Sequence, residues 1–199
     1  MKKQLIVLAF AAIGSQAFGQ AAFWTGDTTG GPIWNRPTSF TSLSGVGTAV
    51  AYEVQPFFVK QDGQYVFEVD GITHTDTYAL VYGPGFSPAT PLADLKAGDD
   101  DFSGTFTVLS GTGQGFASSR IALGESTNYG GAATGLFLTA GVQYYAVVTG
   151  FGNTDFGTYN AGIGGDPGTR VNLGMVPEPG TMIALGAGLA ALAARRRRK

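Results

Sequence analysis

The 199-residue chain has no cysteine, only one histidine, and only 13% charged residues. Without thiols there can be no disulfide, no thiolate metal site and no cysteine nucleophile, so packing must supply the stability of the folded part. Gly-x-Ser-x-Gly and His-Glu-x-x-His patterns are also missing, which leaves a serine triad or a zinc centre without its usual framework. The lone His74 lies two residues before Asp76, on the same face if the segment is a strand, so a His–Asp pair is conceivable. A structural histidine is the simpler reading.

Basic residues are scarce between the two ends. Residues 22 to 176 hold five of them (Arg36, Lys60, Lys96, Arg120 and Arg170) against thirteen acidic ones, a net charge of about −8. That sign repels nucleic acid and anionic headgroups, so no nucleic-acid partner is expected. Glycine, in contrast, is abundant, with 32 residues and no collagen-like period, and reads as the punctuation of many turns. Hydrophobic residues at 44% and aromatics at 12% are enough for a packed core.

The ends carry targeting patterns. Lys2 and Lys3 precede an apolar run from Leu5 to Ile13 and then small residues, the layout of a signal peptide spanning 1–21. Small side chains allow signal peptidase to cut after Ala17, Gly19 or Ala21. At the other end Pro177, Glu178 and Pro179 precede a 14-residue apolar stretch, Thr181 to Ala194, and then Arg195, Arg196, Arg197, Arg198 and Lys199. As a helix the stretch is only about 21 Å long, short of the roughly 30 Å hydrocarbon core. Snorkelling arginines and a thinned bilayer make up the difference, giving a weak transmembrane anchor at about 180–194. Five cations hold its terminus on the cytoplasmic side of the inner membrane, which places residues 22–176 outside.

The order Pro177-Glu178-Pro179, short apolar helix and basic tail resembles the PEP-CTERM sorting signal of Gram-negative bacteria. The resemblance implies that an exosortase reads the tripeptide and releases the body from its tail, in a bacterium that makes exopolysaccharide. The body would end at the cell surface or outside the cell.

Between the ends, apolar residues alternate in short blocks at 56–60, 64–70, 75–82, 104–109, 119–123, 134–139, 143–151 and 156–163, each bounded by turn residues. In the second block Tyr65, Phe67 and Val69 share one face and Val66, Glu68 and Asp70 the other. Asp62-Gly63 is a type I′ hairpin signal, and Ala140-Gly141 is a candidate turn for a later pair. With no amphipathic helix in the body, the expected fold is all-β: a two-sheet antiparallel sandwich, jelly-roll-like, over 22–176. Residues 22–50 read as a leading strand or loop. The stretches 63–69, 75–80 and 140–148 also resemble the bacterial pre-peptidase C-terminal type of β-sandwich.

Asp99-Asp100-Asp101 before Gly104 opens like a calcium loop, but position twelve from Asp99 is Ser110, so it is not an EF-hand. Calcium at Asp99 and Asp101 competes with a plain solvated acidic loop. Trp24, Trp34, Tyr78, Tyr82, Tyr129 and Tyr159 are the aromatics available to stack on sugar rings, and a β-sandwich places such residues in its core by default. The leading expectation is a non-catalytic cell-surface or matrix protein. A carbohydrate-binding module for exopolysaccharide is the alternative, followed by a small hydrolase using two carboxylates.

Overall fold

A computed structural model describes residues 20–124, 135–166 and 169–177, and every regular element among them is a strand. In chain order these are β1 (Ala22–Asp27), β2 (Ile33–Trp34), β3 (Val50–Val59), β4 (Gly63–Gly71), β5 (Thr77–Tyr82), β6 (Leu95–Asp99), β7 (Ser118–Ile121), β8 (Leu136–Leu138), β9 (Gln143–Gly150), β10 (Thr158–Gly165) and β11 (Val171–Leu173). They form two antiparallel sheets packed together. The first runs β1-β10-β4-β7, with β8 also on β4, and the second runs β11-β3-β9-β5-β6, with β2 also on β3. Set against each other, β1-β10-β4-β7 and β3-β9-β5-β6 have the interlocked strand order of a jelly roll.

This winding overturns the hairpin read at Asp62-Gly63. β3 and β4 lie in different sheets, so the short link is a crossing between layers, and neither residue has a positive φ. Ala140-Gly141 is a crossing too, from β8 to β9, with Gly141 at φ 73°. The two crossings sit side by side, because the Ala140 N–H donates to Asp62 Oδ1 at 2.7 Å. Dipeptide chemistry specifies a reversal of direction, and a jelly roll uses that reversal to change sheets as readily as to pair neighbours.

Two cores result. The inner one, between the sheets, gathers Phe57, Val59, Tyr65, Phe67, Val69, Ala79, Val81, Ile121, Ala146, Val148, Tyr159, Ala161 and Ile163. A second lies on the outer face of the second sheet, where Trp34, Val50, Tyr52, Tyr78, Leu80, Tyr82, Leu95 and Val147 pack together, with Phe86, Tyr145 and Phe151 against them. All six residues of β5 are therefore buried, since its even positions serve one core and its odd positions the other. Arg36, 1% exposed, stands in this outer core with its guanidinium carbon 3.9 Å from the Tyr78 ring centroid, and its Nε–H donates to the Phe151 carbonyl. The cation–π contact and the carbonyl bond hold a charge that burial would otherwise penalise.

Residues 104–109, expected to be a strand, belong instead to a loop folded over the outer face of the first sheet. Glu68, fully buried, accepts from the backbone N–H groups of Thr107, Val108 and Leu109 at 2.7–2.8 Å and from the Thr107 hydroxyl at 3.0 Å. Arg120 Nε stands 3.2 Å from the same carboxylate. The loop's consecutive backbone amides thus bind a side chain rather than a neighbouring strand. Gly162 and Gly164 make room for it: a Cβ on either would come within 3.0 Å of Val108. Glycines inside a strand here mark a close approach of another segment.

Candidate functional site

The Glu68-pinned loop covers only part of the first sheet's outer face. Beside it lies an open cavity of about 610 Å3, lined by Phe23, Thr25, Asp70, Val108, Leu109, Ser110 and Asn160 together with Trp24 and Ala161. A smaller cavity of about 380 Å3, bordered by Gln64, Val66, Arg120 and Asp166, lies on the other side of Val108. Alternation along β1 creates the larger one. Ala22, Trp24 and Gly26 face inward, where Trp24 stacks on Phe67 at 5.8 Å between ring centroids, while Phe23, Thr25 and Asp27 face out.

Strand register then aligns polar groups across the floor. Thr25 opposes Asn160, Asn160 opposes Asp70, and Asp70 opposes Ser118. The Ser118 hydroxyl donates to Asp70 Oδ1 at 2.8 Å and accepts from the Gln114 N–H at 2.7 Å, which fixes the carboxylate. In the next row Phe23 opposes Gly162, and its ring leans over that residue: a Cβ on Gly162 would come within 3.1 Å of Phe23 Cδ1. Phe23 is 56% exposed. Sequence reasoning passed over Phe23, Thr25 and Asn160; the signal available was the pairing of a leading alternating strand with glycines inside a later one.

The aromatics picked out from sequence are placed elsewhere. Trp34, Tyr78 and Tyr82 belong to the outer core and Tyr159 to the inner one, all nearly inaccessible, and Trp24 backs the cavity from the inner side. Tyr129 lies outside the described residues. Tyr78 and Tyr82 alternate as a sugar platform would, but the segments carrying Trp34, Arg36 and Phe86 cover them.

His74 and Asp76 do not pair. His74 is 2% exposed with no hydrogen bond at either ring nitrogen, and burial pushes its pKa down to about 4 despite the opposing charges of Asp155 and Asp27. Asp76 instead meets Asp100 and Asp101, with one carboxylate oxygen from each lying within 4.8 Å of the others. Burial first, and repulsion among the carboxylates second, raise Asp100 to about 7 and Asp76 to about 6, with Arg36 countering both. Asp101 joins this group, and Asp99 does not: its Oδ2 accepts from the Arg120 N–H at 2.9 Å. Three hard oxygen donors suit calcium or magnesium but fill at most half of a calcium shell of about six to eight oxygens.

At the C-terminal edge β11 pairs with β3, the Gly174 N–H donates to the Pro56 carbonyl at 2.7 Å, and the Val176 N–H to Gln143 Oε1 at 2.7 Å. The chain leaves the sandwich there, with Pro177 exposed. Glu178, Pro179, the stretch 180–194, Arg195 to Lys199 and the segment 1–19 lie outside the described residues. Among the described residues no helix is long and apolar enough to cross a membrane.

Residues 176–198 match the family model of the PEP-CTERM protein-sorting motif. No curated protein matches the chain. The motif match supports a chain that is exported and sorted to the cell surface, with an exosortase as its processing partner.

Proposed function

We propose that this protein is a non-catalytic component of the cell surface or extracellular matrix, held briefly in the inner membrane by its C-terminal tail and released when an exosortase acts at Pro177-Glu178-Pro179. The observation that carries this reading is the sorting motif beginning at Val176, where the described part of the sandwich makes its last hydrogen bond. Signal peptidase removes the N-terminal segment, and Arg195 to Lys199 keep the tail's end in the cytoplasm until processing. The resemblance of the body to pre-peptidase C-terminal sandwiches agrees with an accessory rather than catalytic role. Fractionation of cells with and without the exosortase, with mass spectrometry of the mature termini, tests it. Precursor should accumulate in the inner membrane when the enzyme is missing, and an unchanged distribution of the protein overturns the reading.

A second reading, that the body binds carbohydrate of the exopolysaccharide, is favoured by the cavity on the first sheet, which is open and carries polar groups beside an exposed aromatic ring. Its lining includes one carboxylate, Asp70, whereas glycoside hydrolysis uses a facing pair. Binding without cleavage is the chemistry that suits it.

A further inference from the structure

We infer that the cavity formed by Phe23, Thr25, Asn160 and Asp70 on the outer face of the first sheet is a subsite for an uncharged oligosaccharide about two pyranose rings long. This rests on the carbohydrate-binding reading and gives it a place and a ligand class.

Sugar rings present two chemistries at once, an apolar face of axial C–H groups and a rim of hydroxyls that both donate and accept. The cavity offers both. Phe23 supplies a half-exposed ring that is braced over Gly162 instead of sinking into a core. The adjacent row supplies a hydroxyl, a carboxamide and a carboxylate: the Asn160 side chain and the Thr25 hydroxyl have no hydrogen-bond partner among the described residues, and Asp70 is held through Oδ1 alone. Asn160 both donates and accepts, whereas the carboxylate only accepts, so together they match hydroxyls rather than an anion.

Size and charge narrow the class. From Thr25 through Asn160 to Asp70 the row spans two inter-strand spacings, about 10 Å, the length of a disaccharide unit. A volume of about 610 Å3 lies within the ordinary range for small-ligand sites. Among the described residues no basic one lines the cavity and its one ionisable group is Asp70, and residues 22–176 carry a net charge of about −8. Uronic-acid polymers would meet repulsion from the site and from the whole body, so the ligand is neutral. The wall is preorganised, because Val108 and Leu109 are fixed through their amides to the buried Glu68.

The test is isothermal titration calorimetry on the full chain in a polyoxyethylene detergent, which carries no sugar of its own. The probes are neutral hexaoses of β-1,4-glucan, β-1,3-glucan, α-1,4-glucan and β-1,4-mannan beside hexagalacturonate. At least one neutral hexaose should bind with a Kd between micromolar and millimolar, and hexagalacturonate should not. Phe23→Ala and Asn160→Ala should each weaken that binding at least tenfold. Phe137→Ala, which removes an exposed ring outside the cavity, should leave it unchanged. Binding that survives both Phe23→Ala and Asn160→Ala removes this site and leaves the carbohydrate reading standing. No heat from any neutral hexaose overturns both, and tighter binding of hexagalacturonate overturns the neutral class. Unaltered circular dichroism of the variants separates lost contacts from lost fold.

Discussion

The two sheets treat their outer faces in opposite ways. The second sheet buries its outer face under a cover anchored by Trp34, Phe86 and Arg36, so that Tyr78, Leu80 and Tyr82 become a second core. On the first sheet a polar clamp at Glu68 covers only one part, and the remainder stays open around Phe23. Aromatic residues are therefore most plentiful where nothing can reach them. The open cavity on the other sheet presents instead one exposed ring beside an amide, a hydroxyl and a carboxylate. Abundant aromatics in this sandwich measure burial, and recognition has to be sought where a strand alternates and its neighbour carries glycine.

Substitutions can break the contrast, beginning with its most stabilising element. Trp34→Ala empties the centre of the outer core and is expected to cost about 3–5 kcal/mol of stability, read by chemical denaturation of the full chain. A loss below about 1 kcal/mol would mean that the cover is only loosely packed. Glu68→Gln comes next, at about 2 kcal/mol, because three amides and a guanidinium lose a charged acceptor. Amide hydrogen exchange should then quicken at Thr107, Val108 and Leu109 before the strands respond, and uniform exchange would deny that Glu68 pins the loop.

A smaller effect is expected from the acidic group of Asp76, Asp100 and Asp101. Asp100 ionises near pH 7 in the folded protein, with 3.8 as the reference for the unfolded chain. The folded form therefore holds a proton that the unfolded form has released, and stability falls as pH rises across that interval. His74 acts in the other direction: its folded pKa of about 4 lies below the reference 6.5, so its contribution is present above pH 6.5 and is lost as pH falls toward 4. Asp100→Asn should stabilise the protein at pH 7 and leave a flatter profile between pH 4 and 6.5, because Asp76, raised to about 6, and His74, lowered to about 4, then oppose each other. A variant whose pH profile overlays the wild type would refute the assignment. Titrating both proteins with calcium tells whether a proton or a cation offsets the remaining charge: only a cation raises the wild-type melting temperature in a way that Asp100→Asn abolishes. Smallest of all, Phe23→Ala should alter stability by less than about 0.5 kcal/mol, since its ring supports no core.

The all-β class and the inner face of β4 were legible in the sequence, because period-two alternation in Tyr65, Phe67 and Val69 records a face that is buried on one side. β5 shows where that rule stops. With both faces covered, Thr77 to Tyr82 reads as a continuous run and says nothing about which face meets which core. The block 104–109 was misread because a loop lying flat on a sheet needs one apolar side just as an edge strand does, and only Glu68, nearly forty residues earlier, tells them apart. The sorting motif was plain because it is contiguous. The cavity was not, since Phe23, Asp70, Leu109 and Asn160 meet only through strand order.

Strand order has a further consequence, in time rather than in space. β1 has one sheet partner, β10, so Ala22 waits for Ile163 before the first sheet can form its edge. Pairings of such long sequence separation are the slow steps of folding. A chain emerging from the membrane amino-terminus first thus exposes an unpaired leading strand until nearly the last of the sandwich has followed. On the proposed route the tail is still embedded at that moment. The delay before the exosortase cuts is then a folding interval, in which the earliest strand to arrive finds the latest while the molecule is kept from its neighbours.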